Sequence, residues 1–177
     1  LRAMMAAEKE TWQYDAVVLC AGDFPTHDIP LGVLRDAPYL CCCDGAAVQA
    51  VRHGLRPDAV VGDSDSLPDD FKQRYAGIMH VVSEQEYNDM TKATRHCMQR
   101  GARRIAYVGA TGKREDHTLG NISLLAYYLD SLSVQSVMFT DYGFVVPARG
   151  ERTFGSFARA LAMATLCFCP PESWLGY

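Results

Sequence analysis

The sequence predicts a layered α/β domain built on a mostly parallel sheet. Three observations carry this. Short apolar runs recur through the first two thirds of the chain, amphipathic stretches separate them, and polar or glycine-rich clusters follow the runs. Strands alternating with helical stretches are the pattern of βαβ units.

Taken in order, residues 16–20 read as a strand ending at Ala21-Gly22-Asp23. Residues 39–43 read as a second, ending at Asp44-Gly45, where Asp44 is placed to cap a helix over 46–53 that Gly54 stops. Residues 59–61 form a short third strand before Gly62-Asp63-Ser64-Asp65-Ser66, and Pro68 suits the start of a helix. Residues 79–82 make a fourth strand. Asn88 or Asp89 can then cap a helix that runs to Arg100 and closes at Gly101. A fifth strand, 104–108, leads into Gly109-Ala110-Thr111-Gly112. Asp116 opens a long helix in which Leu119, Ile122, Leu125, Ala126 and Leu129 are spaced for one buried face. Residues 134–140 are a sixth strand. After Asp141 the pattern changes: 144–146 and 151–154 read as short strands, and 158–177 have no clear period.

Bulk composition narrows the function classes. The 177 residues are 49% hydrophobic and 21% charged, enough to bury a sizeable core. A net charge of −4 offers no footprint for nucleic acid or an anionic membrane. No apolar run reaches the roughly 18 residues needed to span a bilayer, and residues 1–14 lack the apolar centre of a signal peptide. Seven cysteines, three of them consecutive at 41–43, suit free thiols in a reducing compartment better than a disulfide framework. A cytoplasmic location is expected. Cys167 and Cys169 lack the further ligands that a metal site needs.

In an open parallel sheet, ligands bind beyond the carboxyl ends of the strands. The polar clusters fall there repeatedly: Asp23, Asp44, then Asp63 and Asp65, then Gln85, Asn88 and Asp89, then Thr111 to Asp116. Asp63 and Asp65, two apart in extended chain, point the same way and repel unless a cation lies between them. Oxygen-only donors suit Mg²⁺, although a solvated Asp/Ser turn explains the same residues. Gly109 to Arg114 has the glycines and basic pair of a phosphate-binding turn without Walker spacing, and a simple strand-to-helix turn is its plain alternative. Asp116 reads equally as an N-cap and His117 as a first-turn histidine. Asn121 reads as a surface or cleft residue, and Lys92 as the salt-bridge partner of Asp89.

Four blocks together resemble the thiamine pyrophosphokinase family. They are Cys43-Asp44-Gly45-Ala46-Ala47; Gly54 through Pro57-Asp58 to Gly62-Asp63-Ser64-Asp65-Ser66; Gln85 through Asn88-Asp89 to Lys92-Ala93; and Gly109-Ala110-Thr111-Gly112 through Arg114, Asp116 and His117 to Asn121. The resemblance covers roughly residues 16–157. It implies a three-layer Rossmann-like catalytic domain over 1–141. The start of a truncated or divergent β-sandwich that helps bind thiamine would follow over 142–177. It also implies ATP and thiamine as substrates, Mg²⁺ as cofactor and a homodimer. By the matching motifs, Asp44, Asp63, Asp65 and Asp89 would hold Mg²⁺ and the phosphates. Gln85 and Asn88 would lie near thiamine or the phosphates. Lys92, Thr111, Gly112, Arg114, Asp116, His117 and Asn121 would complete the phosphate and metal environment. Asp63, Asp65, Asp89, Arg114 and Asp116 are the expected catalytic set, with Asp89 or Asp116 taking the hydroxyl proton. The alternatives are an Mg²⁺-dependent phosphoesterase and a non-catalytic nucleotide-binding remnant.

Overall fold

The computed structural model describes residues 13–84 and 86–149. The expected strand at 151–154, the tail, Gln85, Cys167 and Cys169 lie outside the described residues.

Seven strands form one sheet: β1 (Ala16–Leu19), β2 (Leu40–Cys43), β3 (Ala59–Gly62), β4 (Met79–Val81), β5 (Arg104–Val108), β6 (Gln135–Phe139) and β7 (Phe144–Val145). Their spatial order is β4-β3-β2-β1-β5-β6-β7. The first six pair in parallel, and β7 joins β6 antiparallel. Phe144–Val145 therefore extends this sheet rather than standing apart from it.

Side-chain alternation divides β1 and β2 between two cores. Val17, Leu19, Leu40 and Cys42 face a cluster that includes Leu34, Ala47 and Phe71, from helices α1 (Asp28–Arg35), α2 (Ala46–Arg52) and α3 (Asp69–Arg74). Val18, Cys20, Cys41 and Cys43 face Met90, Ala93, Cys97, Leu125 and Tyr128, from α4 (Asp89–Gln99) and α5 (Glu115–Ser131). Three layers result, as the resemblance implied.

The chain winds outward from β1 to β4, then returns to the other side of β1 as β5. The strand order reverses between β1 and β5, so the loops after these two strands flank the switch point where such sheets bind ligands.

Helix α1 was not anticipated, and three expectations need correction. Pro30 sits in the first turn, where the missing N–H has no partner to lose. The helix after β2 has Gly45 at its N-cap and no side-chain cap, because Asp44 turns its carboxylate toward Ser66 instead. Arg114, not Asp116, is the N-cap position of α5, with Asp116 in the first turn. The buried stripe of α5 runs through Leu125 and Tyr128, while Leu119 is 67% exposed. The helix is rotated so that Tyr128 reaches the hydroxyl of Thr91 across the interface, at 2.8 Å.

Candidate active site

Loops leaving the carboxyl ends of β1, β2, β3 and β5, together with the N-terminus of α4, share one edge of the sheet.

The loops after β1 and β5 are joined by main chain. Gly22 N donates to Gly109 O at 2.7 Å and Asp23 N to Thr111 O at 2.9 Å. Only glycine permits this approach at position 22, where a Cβ would lie 2.3 Å from Thr111 O. Gly109, Gly112 and Lys113 all have positive φ, at 65°, 81° and 56°. Lys113 Nζ donates to Ala21 O at 2.8 Å, closing the turn from the other side.

The segment 62–66 is a turn, not the extended pair expected from the sequence. Ser64 adopts φ 68°, and Asp63 Oδ1 accepts the N–H of Asp65 at 3.1 Å. This local bond removes the reason for the two carboxylates to point together. Asp63 is half-buried and Asp65 exposed.

Asp44 is buried, with Oδ2 accepting the hydroxyl of Ser66 and Oδ1 buried without a hydrogen-bond partner. Asp89, in the first turn of α4, has its carboxyl pushed up from the usual range. Burial is the main cause; the charges of Asp44 and Asp63 add to it, and Lys92 opposes. Asp89 therefore feels the charges of Asp44 and Asp63. Among the described residues, however, no three His, Cys, Asp or Glu side chains are gathered closely enough to hold a metal ion unaided.

Lys92 pairs with Asp89 at 3.8 Å, as the plain reading of its spacing had it, with a side chain only 4% exposed. It lies beneath Asp89 and acts on the cleft through that carboxylate. The side chains of Asn88 and Asn121 are committed to structure. Asn88 Oδ1 caps α4 by accepting from Thr91 N at 2.9 Å, and its Nδ2 donates to Asn121 Oδ1 at 3.1 Å. Asn121 Nδ2 in turn donates to Ala110 O at 2.8 Å, so a chain of two amides ties α4 to the glycine turn.

Arg114 grips Asp116 through Nε at 3.0 Å and Nη2 at 2.5 Å. That fork holds the Asp116 carboxyl at about 2, well below the usual carboxylate range. Thr111 is half-buried, while Gly112 and His117 are exposed.

Sequence reasoning passed over two further residues. Ser66 was read only as the end of an Asp/Ser stretch, and its position three residues after Asp63 carries no sign of a bond to Asp44. Asp141 marked a change of pattern. It accepts from Thr26 N, Thr26 Oγ1 and His27 N at 2.6–3.0 Å, pinning the loop after β1 to the end of β6.

Residues 32–136 match the family model described as the thiamin pyrophosphokinase catalytic domain. Thiamin pyrophosphokinase 1 of Caenorhabditis elegans is 26% identical over 104 residues, which cover 54% of this chain and 42% of that protein. Among solved structures, thiamin pyrophosphokinase from Geobacillus thermodenitrificans is 26% identical, with a TM-score of 0.56 over 70% of this chain and 58% of that one. The enzyme from Candida albicans, at 23% identity and a TM-score of 0.58 over the same shares of the two chains, has a similar fold. The match thus takes in less than half of the curated relative's length.

Proposed function

The chain belongs to the thiamin pyrophosphokinase catalytic-domain family, and on that premise we propose that it transfers a diphosphate group from ATP to the primary hydroxyl of thiamine, releasing AMP. One observation carries the reading. The matched stretch contains Asp44, Asp63, Asp65, Asp89, Arg114 and Asp116, and folding brings the loops that bear them to the same edge of the sheet.

Mg²⁺ fits these residues. The donors are all oxygen, one carboxylate oxygen of Asp44 lacks any partner, and the Asp89 carboxyl responds to Asp44 and Asp63. Mg²⁺ takes one or two carboxylates and completes its shell with water and phosphate oxygens, so it needs no ready-made cage. Asp44, Asp63, Asp65 and Asp89 are the residues proposed to hold it. When bound, the ion supplies charge neutralisation on the transferring phosphates.

The residues of the chain supply the rest. Backbone N–H groups of the glycine turn and the Arg114 guanidinium attract phosphate oxygens. Thr111, Gly112, His117 and Lys113 belong to the same proposed surface, whereas Asn88, Asn121 and Lys92 support it from behind; Gln85 is included on family grounds alone. The hydroxyl oxygen forms a bond to the β-phosphorus while the bond from that phosphorus to the oxygen bridging the α-phosphate breaks, and AMP leaves. Both oxygens of Asp116 are engaged by Arg114, which makes it a poor proton acceptor. Asp89, whose carboxylate has only the 3.8 Å ion pair with Lys92 in place of a fork, is the better candidate to take the hydroxyl proton. A thiamine-binding part following the catalytic sheet, which takes in Phe144–Val145 beyond the expected boundary at residue 141, the homodimer and the cytoplasmic location are included in the proposal on family grounds.

The test is incubation of the full chain with ATP and Mg²⁺, with and without thiamine. AMP that appears only with thiamine supports the transferase. Phosphate release indifferent to thiamine would point to a phosphoesterase, and tight Mg·ATP binding without turnover to a nucleotide-binding remnant.

A further inference from the structure

Among the described residues, Asp44 is the one acidic side chain that is buried, at 5% exposure. Its two oxygens differ in their surroundings. Oδ2 accepts the Ser66 hydroxyl and, more loosely, Ser66 N at 3.4 Å, whereas Oδ1 is buried with no hydrogen-bond partner. A buried carboxylate oxygen left without a partner is destabilising, and native structures rarely keep one. An ionised carboxylate oxygen can only accept, so whatever completes Oδ1 is a donor or a cation; the phosphates themselves, being acceptors too, are excluded.

The backbone holds this arrangement in place. Asp44 adopts φ 28°, an unusual value for a residue with a side chain. A Cβ at position 62 would fall 2.7 Å from the Asp44 Cβ, so glycine there makes the space that Asp44 fills. Ser66, from the turn after β3, closes over the carboxylate from the remaining side.

We infer that Ser66 is a positioning residue for the cation: its hydroxyl occupies Oδ2 of Asp44 and so presents Oδ1 as the atom that ligates a divalent ion. The inference rests on the reading of Asp44 as a cation-holding residue given above. Carboxylates that ligate metals are themselves oriented by hydrogen bonds, and loss of such an outer partner typically weakens metal binding about 10–100-fold. Without the hydroxyl, Oδ2 keeps only the loose contact from Ser66 N and Oδ1 has no partner, so the carboxylate gains by turning away.

The experiment measures Mn²⁺ binding to the full chain by loss of the free-ion electron paramagnetic resonance signal, in the presence of a non-transferable ATP analogue. Wild type, Ser66→Ala, Ser66→Thr and Asp44→Asn are compared, each well below its own melting midpoint. The expected result is a roughly tenfold higher half-saturating Mn²⁺ concentration for Ser66→Ala, recovery toward wild type in Ser66→Thr, and a loss at least as large in Asp44→Asn. Weak binding in Asp44→Asn with normal binding in Ser66→Ala overturns the inference and leaves the cation reading of Asp44 standing. Normal binding in Asp44→Asn removes that reading and the inference together. A Ser66→Thr protein as weak as Ser66→Ala, or a lowered melting midpoint with unchanged Mn²⁺ affinity, also overturns it, since either denies the hydroxyl its specific part.

Discussion

Arg114 and Asp116 form a forked ion pair at the mouth of the glycine turn, with Nη2 to Oδ2 at 2.5 Å and both side chains largely exposed. Arg114 thereby stays extended beside the turn, and Asp116 is spent on holding it there. At such exposure the pair adds little to stability, so its value lies in geometry.

Replacing Arg114 by Ala is expected to lower thiamine-dependent AMP formation by about 100-fold, the scale seen when a charge-stabilising donor is removed. Lys at this position restores only part, because an ammonium cannot reproduce the fork. At saturating Mg²⁺, Asp89→Asn is expected to reduce kcat more than Asp116→Asn. Equal turnover in the two variants would remove Asp89 as the proton acceptor.

Acid sensitivity should centre on His96. Its ring lies 4.2 Å from that of His80, its Nε2 is 2.9 Å from the Tyr39 hydroxyl, and Arg100 sits over Tyr39. Burial first, then His80 and Arg100, lower its pKa from 6.5 to about 4. The folded protein therefore binds fewer protons than the unfolded chain between these values. The stability of the neutral ring is complete above pH 6.5 and is lost as pH falls toward 4. Urea midpoints measured across that window should fall more steeply for wild type than for His96→Gln.

Thiol labelling gives a direct check on the core. Cys20, Cys41, Cys42, Cys43 and Cys97 are free and buried. Burial raises the thiol pKa of Cys42, and a thiol neighbour together with burial raises those of Cys41 and Cys43, so these three are poor nucleophiles as well as inaccessible. Of the seven cysteines, native protein should expose at most Cys167 and Cys169 to a thiol reagent. The other five should react only on unfolding, counted by mass spectrometry.

Gly22→Ala tests the join between the loops after β1 and β5. The added methyl meets the backbone oxygens of Thr111 and Gly109 at 2.3 and 2.5 Å, neither of which can swing aside. A loss of about 1–3 kcal/mol in urea unfolding is expected, with weaker binding of an ATP analogue. Gly32→Ala, on an open face of α1 where a Cβ meets nothing within 4 Å, is the matched control and should not destabilise.

Much of the fold was legible in the chain because each strand is short, apolar and followed by a polar turn. The runs at 16–20, 39–43, 59–61 and 104–108 all became strands, within a residue or two at their ends. Helix α1 escaped because it is only eight residues long and holds Pro30 and Gly32, both poor helix formers, and the face of α5 was misjudged because Leu119 fits the helical spacing as well as Tyr128 does. Spacing specifies which residues share a face; contact with a second element decides which face is buried.

What the sequence determined by itself is the alternation of elements and the order of the acidic and glycine-rich loops, since both follow from local pattern and chain direction in a parallel sheet. Only the tertiary structure decided how those loops engage one another. Asp44 abandons its helix for Ser66, and Asn88 and Asn121 join α4 to the glycine turn. These are bonds between residues 22 and 33 positions apart in sequence. Each side chain had a plausible local partner, and burial together with the crossing of separate strands selected the one it took.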